Sequence, residues 1–438
     1  MRYVDHGSFS LAILVMNGQA QYRVVLRRRH RPLWANESCD DSRIASCLRV
    51  ASSLPVFSRS AQALDQDPYL LACRNGYLDL RTMGFFPADP RRLVTKLAAT
   101  DYDPQAECPH WLARLEEWLP EEDKRRYIQE WAGLSLTGDA SQHAVLLLYG
   151  RGRNGKGMIV NTIGDMLGDY CVTIDTEVLI AGERRLSGNA IQEQKFNMRG
   201  ARMMRPSETA ENGKVSSKDL KSLASTDMIR GRLLRQNSVE FRMSGKLWIP
   251  INHRPEISDT TDSIWERLKV IEFTKRFLGD KRIPEEEIKA QLRPEWPGIL
   301  NWALVGLRRI MRVAPDGSVR IQISDPAFLR QAVQEYREEM DTVGQWLAEC
   351  TSTEDPSATA TPPAIMDSYV WWCDMQSIPE RERLGRNKLL EEVRSRPSAI
   401  LALDASRACC RRSVGMEKLL NSTSTVLAMV AMVRSRGR

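Results

Sequence analysis

The chain has 438 residues, of which 42% are hydrophobic and 27% are charged, and its mean hydropathy is −0.39. This balance is typical of a folded globular protein and excludes a wholly disordered or fibrous chain. The longest apolar runs are too short for a membrane span, and the acid and histidine near the start argue against a signal peptide. The length suffices for about three domains and a sizeable core.

The net charge is +7, from 63 Lys and Arg against 56 Asp and Glu. Such mild basicity permits an anionic partner but does not demand one. The nine cysteines and five histidines form no pair with metal-ligand spacing, which argues against a zinc site. Scattered thiols favour a reducing, cytoplasmic location, and we expect no membrane partner.

The first segment, residues 1–63, has little regular pattern. Short strands are predicted at Leu11–Met16 and Tyr22–Leu26. The basic run Arg27–Arg31 fits either contact with nucleic acid or a solvated charge cluster. Residues 64–140 begin with many turn signals and continue with two stretches of helical spacing, so we expect a helical domain. The two predicted helices are Trp111–Leu119 and Arg126–Leu136.

Residues 141–313 alternate short apolar strands with helical stretches, which predicts an α/β unit with a largely parallel sheet. The strand candidates are Val145–Tyr149, Ala201–Arg205, Phe241–Arg242 and Leu247–Ile251. A helix is predicted at Ile299–Met311. Residues 314–397 are expected to form a C-terminal helical or winged-helix region. Within it we expect a linker at Thr351–Pro363 and, beyond the linker, helices of a small terminal domain at Met366–Cys373 and Asn387–Val393. No structure is assigned to the tail, residues 398–438.

The strongest motif is a strand, a glycine-rich turn, a lysine and a helix, in that order. Glycines allow backbone N–H groups to face phosphate oxygens, and the helix that follows adds its positive dipole. Lys156 would reach the β- and γ-phosphates of a nucleotide, although a tight turn with a surface lysine is the alternative. The predicted nucleotide-binding residues are Gly150, Arg151, Gly152, Arg153, Asn154, Gly155, Lys156, Gly157 and Met158.

Gly157 departs from the usual phosphate-loop pattern, because a Ser or Thr hydroxyl normally binds Mg²⁺ at that position. Mg²⁺ is then left to acids elsewhere and to water, or the site is weakened. Downstream, Glu208 ends a short strand and Glu211 follows closely, although any strand can end in an acid. Asn252 ends another apolar strand, where its amide could orient water or could merely cap a helix.

Four segments in series resemble the superfamily 3 helicases, specifically the C-terminal half of phage and plasmid primase–helicases, which are related to the poxvirus-type NTPase/primase. The segments are GRGRNGKG, RMMRPSETAE, LWIPINHRPEI and WERLKVIEF. Upstream, CRNGYLDLRTMGFFPADPRRLVT resembles the helical domain that precedes the ATPase in this family. The resemblance covers about Leu64 to Trp346.

The resemblance implies a P-loop NTPase core of the AAA+ type, hydrolysis of ATP with Mg²⁺, a homo-hexameric ring and translocation on single-stranded DNA. Carried over by position, Lys156 is the Walker A lysine, and Glu208 is the catalytic Walker B acid and Mg²⁺ ligand. Glu211 is a second acid, and Asn252 is the polar sensor residue.

The family usually has two adjacent arginines after the tryptophan of the last segment. Glu266 replaces the first, so Arg267 is the candidate arginine finger that reaches a neighbouring subunit. Arg254 is the runner-up, and a surface ion pair is the alternative for Arg267. Arg230, Arg232 and Arg235 alternate with apolar residues where the family places its DNA-binding hairpin.

The expected architecture is an α/β P-loop NTPase core with a helical N-terminal domain and a small helical or winged-helix C-terminal domain. The expected function is ATP-dependent DNA unwinding in phage, plasmid or prophage replication. A primase domain is expected to be absent, so a separate primase is a candidate partner. The alternatives are a single-stranded-DNA-binding or primase-partner module with a degenerate ATP site, and an inert prophage remnant.

Overall fold

The computed structural model describes residues 10–16, 19–25, 41–54, 63–176, 180–181, 188–207, 214–215, 217–225, 228–232, 238–255, 257, 262–279, 283–350, 361–380 and 383–396. The chain divides into two compact units, residues 1–334 and 335–438. Among the described helices, none combines the length and hydrophobicity needed to cross a bilayer.

The N-terminal segment contains an antiparallel hairpin and a helix. Strands β1 (Ser10–Met16) and β2 (Gln19–Val25) pair over their whole length, which confirms both predicted strands. Helix α1 covers Asp41–Ser53. The basic run Arg27–Arg31 lies outside the described residues.

Residues 63–140 are only partly helical. Three short antiparallel strands come first: β3 (Leu70–Cys73), β4 (Gly76–Asp79) and β5 (Gly84–Phe86). Helices α2 (Pro109–Trp118) and α3 (Glu122–Leu134) follow, close to the predicted bounds. The prediction of a helical region is therefore wrong for its first half, because strands of three or four residues separated by tight turns are too short to show a period of two.

The next part of the chain supplies the central α/β layers. Its strands are β6 (Val145–Tyr149), β7 (Cys171–Ile174), β8 (Ile180–Ala181), β9 (Met203–Pro206), β10 (Lys214–Val215), β11 (Met228–Gly231), β12 (Val239–Arg242), β13 (Lys246–Ile251) and β14 (Leu268–Glu272). Its helices are α4 (Lys156–Leu167), α5 (Gly188–Asn197), α6 (Ser217–Leu223) and α7 (Asp262–Trp265).

Five of these strands form a parallel sheet in the order β14-β6-β13-β9-β7. The first four residues of β6 are buried, as expected for a central strand covered on both faces. The chain leaving β6 runs to the far edge at β7, whereas the chain leaving β13 runs to the opposite edge at β14. Such a reversal opens a crevice at the carboxyl ends of β6 and β13, where α/β sheets bind ligands.

The first unit ends in three helices and a two-stranded hairpin. These elements are α8 (Glu285–Leu292), α9 (Trp296–Ile310), β15 (Met311–Val313), β16 (Val319–Ile321) and α10 (Ala327–Met340), which crosses the unit boundary. Helix α9 packs onto α3. Single 3₁₀ turns lie at Pro90–Arg92, Gly168–Tyr170 and Arg293–Glu295.

Helices α3 and α9 approach closely through glycines. A Cβ atom on Gly133 would overlap the backbone of Leu307, and one on Gly306 would overlap the carbonyl of Gln129. One continuous core joins residues of both helices to Trp248 of the sheet. This core contains residues on both sides of the domain boundary predicted between residues 140 and 141. The boundary stays a prediction.

The second unit contains α11 (Thr342–Cys350), α12 (Pro362–Met375) and α13 (Arg386–Arg394). Its core includes Trp346, Tyr369 and Trp372. The two predicted helices are confirmed, and the described residues of this unit after α10 form helices and turns only. The winged-helix alternative stays a prediction, and residues 398–438 lie outside the described chain.

Candidate nucleotide site

The loop after β6 forms the strand-to-helix turn that the sequence predicts, at the crevice between β6 and β13. Gly152 and Gly155 have φ angles of 78° and 87°, and Arg153 also has a positive φ, 52°. Glycine adopts this left-handed region without a steric penalty, so the loop can curl tightly before α4 begins. The loop is tied to its neighbours by backbone hydrogen bonds from Gly150 N to Ile251 O and from Phe277 N to Arg153 O.

Lys156 lies at the centre of the site. It is the first residue of α4 and is only 4% exposed. Its Nζ donates to the Gly150 carbonyl at 2.6 Å, to Asn154 Oδ1 at 3.0 Å and to Asn252 Oδ1 at 3.3 Å. Burial lowers the pKa of Lys156 to about 8. The structure therefore brings together Lys156 and Asn252, which are 96 positions apart.

Asn154, one of the predicted nucleotide-binding residues, completes the lysine's surroundings through a contact that sequence alone does not reveal. It is 2% exposed, and its Nδ2 is buried without a hydrogen-bond partner. The amide packs against Gly150, where a Cβ atom would overlap Nδ2 and the carbonyl of Phe273. Gly150 is thus needed for close approach. The only sequence signal was a polar residue two positions before the lysine.

Gly155 is required for a different contact. A Cβ atom there would overlap the indole ring of Trp118, which ends α2 and is 4% exposed. Lys124 of α3 donates to the carbonyl of Glu272 at the end of β14. The helices that precede the sheet therefore support the candidate phosphate loop, through Trp118 against Gly155.

The described surroundings suit the phosphates of a nucleotide better than they suit a metal. The loop offers an ammonium and an orphaned amide donor. A Cβ atom on Gly157 would meet nothing within 4 Å, so the position has space for a hydroxyl that the chain lacks. Within the described ranges, no group of three His, Cys, Asp or Glu residues could hold a metal ion. Glu208 and Glu211, the predicted acids, lie outside those ranges.

The two candidate arginine fingers lie at opposite ends of the parallel strands, Arg254 at the carboxyl ends and Arg267 at the amino ends. The Arg254 guanidinium lies over the ring of Tyr149, 4.8 Å from its centre, beside the phosphate loop of its own chain. Arg267 lies at the amino edge, where its carbonyl accepts from Val145 N and its Nη1 donates to the carbonyl of Lys221. The length of β6 separates it from the loop by roughly 16 Å.

Of the predicted DNA-binding residues, Arg230 lies in a hairpin and Arg232 directly follows its first strand, because β11 and β12 pair antiparallel. Arg230 and Arg232 are exposed, whereas Ile229 and Gly231 between them are buried. Arg230 Nε pairs with Glu240 Oε1 across the hairpin at 2.5 Å. Arg235 lies outside the described residues. Exposed Arg242, opposite Met228, is an additional basic residue of the hairpin that was not predicted. Its alternation with buried Phe241 was the available signal.

Comparison with known proteins finds one similar family and several similar viral proteins. The family described as "D5 N terminal like" matches residues 24–121. A proposed helicase of Acanthamoeba polyphaga mimivirus is 24% identical over 342 residues, which cover 73% of this chain and 34% of the relative. A proposed primase of African swine fever virus is 22% identical over 214 residues, which cover 48% of this chain and 22% of the relative.

The chain thus spans about a third or less of the length of these viral relatives. Among solved structures, the C-terminal region of NrS-1 shares 13% identity with this chain at a TM-score of 0.40. That alignment covers 67% of this chain and 64% of the other.

Proposed function

We propose that the chain is an ATP-dependent DNA helicase of superfamily 3, and its similarity to the D5-like primase–helicase family supports this proposal. The core would be of the AAA+ type and would act as a homo-hexameric ring in phage, plasmid or prophage replication. The observation that carries the proposal is the position of Lys156. It lies on a glycine-rich loop at the sheet crevice, beside the polar residue of the next strand, Asn252.

In this proposal the loop residues hold ATP. Backbone N–H groups between Gly150 and Gly155 and the start of α4 face the phosphates, and Lys156 binds the β- and γ-phosphates. Mg²⁺ would neutralise charge on the phosphate oxygens, with Glu208 as its protein ligand. Glu208 would also accept a proton from the attacking water, Glu211 would support it, and Asn252 would orient that water.

Arg267 would act on the site of a neighbouring subunit. Its position at the amino edge, away from its own phosphate loop, supports this assignment over a role within one subunit. Arg254 lies beside its own loop and so fits a contact within the same chain better. A finger from a neighbour would make hydrolysis depend on ring assembly.

The β11–β12 hairpin would hold single-stranded DNA through its basic side chains. Arg230, Arg232 and Arg242 are exposed on it, and Arg235 is carried over from the sequence. Contacts of this kind bind the phosphate backbone without reading bases, so affinity should fall steeply with salt.

A second candidate is a single-stranded-DNA-binding or primase-partner module with a degenerate ATP site. Gly157 favours this alternative, because the open space beside it lacks the hydroxyl that usually binds Mg²⁺. The exposed arginines of the hairpin would serve such a module equally well.

The deciding experiment measures ATP hydrolysis with Mg²⁺, with and without single-stranded DNA, in the intact protein and in Lys156→Ala and Arg267→Ala. We expect DNA-stimulated turnover that both substitutions abolish. Arg91→Ala is the matched control, since that exposed arginine pairs only locally with Asp89. Activity retained in Arg267→Ala alone would show that the finger is misassigned. An intact protein that binds DNA without turnover would overturn the helicase proposal and leave the binding module.

A further inference from the structure

Lys156 is surrounded by uncharged oxygens. Its three described acceptors are one backbone carbonyl and the side-chain amide oxygens of Asn154 and Asn252. No described carboxylate forms an ion pair with it, and burial is the sole cause of its lowered pKa. A buried ammonium is most often paired with a carboxylate, so this arrangement calls for an explanation.

Asn154 is the acceptor that the chain places within the loop itself. The side chain is almost completely buried, and its packing against Gly150 leaves little room to move. Its Oδ1 is used by the lysine, whereas its Nδ2 has no partner. Buried donors are rarely left unsatisfied in folded proteins, and this one lies where an anion is expected.

We infer that Asn154 is a positioning residue that holds the Lys156 ammonium ready for a triphosphate without neutralising it. This inference rests on the proposed ATP site. A neutral amide oxygen satisfies one N–H group of the lysine but competes weakly with a charged phosphate. A carboxylate at the same place would bind the lysine tightly in the empty site and would repel the incoming phosphate.

The alternative to this positioning role is a purely structural one, in which Asn154 only fills space against Gly150. Asn154→Asp separates the two, because it preserves the shape of the side chain and changes only its charge and its donor. A structural role predicts little change in binding on this substitution. A positioning role predicts weaker nucleotide binding and a lysine that keeps its proton to higher pH.

The experiment titrates ATP and ADP with Mg²⁺ by calorimetry into the full chain at several pH values. Asn154→Asp should weaken binding by at least about tenfold at pH 7.5. The matched control is Asn161→Asp in α4, the helix that follows the loop, because the Asn161 side chain accepts from Arg205 instead. This control adds the same charge and should stay within about threefold of the intact protein.

The pH profile supplies a readout that packing alone would not move. In the intact protein, affinity should decline as the pH rises through about 8, because Lys156 loses its proton. In Asn154→Asp, the decline should shift to higher pH. Other described charged groups near the loop include Arg151, Arg153, Arg254, Glu272 and Lys124.

Each outcome decides between the explanations. Wild-type affinity and an unshifted profile in Asn154→Asp would overturn the inference. Asn154→Ala, with thermal unfolding as a check, covers the case in which the aspartate variant does not fold. Equal loss of binding in the alanine and aspartate variants with an unshifted profile would also overturn it. Absence of binding in the intact protein, or binding unaffected by Lys156→Ala, would instead refute the proposed ATP site.

Discussion

Two buried lysines lie at opposite ends of the central strands: Lys156, the first residue of α4, near the carboxyl ends, and Lys246, the first residue of β13, at the amino ends. They are 4% and 5% exposed. Burial lowers the pKa of Lys156 to about 8 and that of Lys246 to about 7. By burial and pKa alone the two lysines would be judged alike.

Their partners distinguish them. Lys246 Nζ donates to the carbonyls of Thr137 and Ser244, at 2.7 and 2.9 Å. Those carbonyls belong to backbone inside the fold, so a ligand from solution cannot take their place as hydrogen-bond acceptors. Lys156 instead has two side-chain amides and a loop carbonyl at an open crevice. A buried lysine is therefore a candidate for ligand binding when a ligand can replace its partners, and a perturbed pKa alone does not identify one.

The largest expected effect comes from making the same substitution at both lysines. Lys156→Met should lower nucleotide affinity by at least about 100-fold while changing the free energy of unfolding by less than about 1 kcal/mol. Lys246→Met should instead lower the free energy of unfolding by about 2 kcal/mol, because two carbonyls lose their donor. Nucleotide titration and denaturant unfolding measure both quantities. Equal effects of the two substitutions on nucleotide affinity and on the free energy of unfolding would contradict this distinction between the two lysines.

A smaller effect should separate two glycines of the phosphate loop. Gly155→Ala places a methyl group against Trp118 in a left-handed backbone and should cost about 1–3 kcal/mol of stability, with weaker nucleotide binding. Gly157→Ala, two residues away, meets open space inside α4 and should be neutral or stabilising by under about 1 kcal/mol. Thermal unfolding checks the pair, and matching losses in the two variants would contradict it.

The smallest effect is a pH dependence of stability. Lys246 has a usual pKa of 10.5 when unfolded and about 7 when folded, so the unfolded chain binds more protons between these values. Stability should therefore rise with pH above about 7, by at most about 1.4 kcal/mol per pH unit from this group. Between pH 7 and 8 Lys246 should contribute more of this rise than Lys156, whose folded pKa is about one unit higher, and denaturant unfolding at these two pH values measures the slope. Lys246→Met should flatten this segment, and an unchanged slope would refute the assignment.

Several strands could be predicted from the sequence because they are continuous and apolar. The predictions for β6 and β13 match the observed bounds within one residue. Strand β7 was missed, since Cys171–Ile174 is short and only its last residue is buried. Strand β14 lies within the segment WERLKVIEF but was not predicted as a strand, because its apolar residues are mixed with the charged Lys269 and Glu272.

The candidate site was predictable where one segment holds the information. The loop, Lys156 and the strand-end Asn252 follow from local order and from the family resemblance. The supporting contacts were not predictable, because they depend on distant segments: Trp118 lies under Gly155, and Phe273 lies against Gly150. The role inferred for Asn154 depends on the contacts of its Oδ1 and Nδ2 atoms, which only the three-dimensional structure shows.

The close pairing of α3 with α9 has a consequence for synthesis on the ribosome. Gln129 donates to the carbonyl of Trp302, 173 positions later. At translation rates of 5–20 residues per second, α3 waits roughly 9–35 s before its partner is made. During that interval the nascent chain exposes Trp111 and Trp131, which are fully buried once folding is complete. The early helices thus present an aromatic surface that chaperones can bind until α9 emerges.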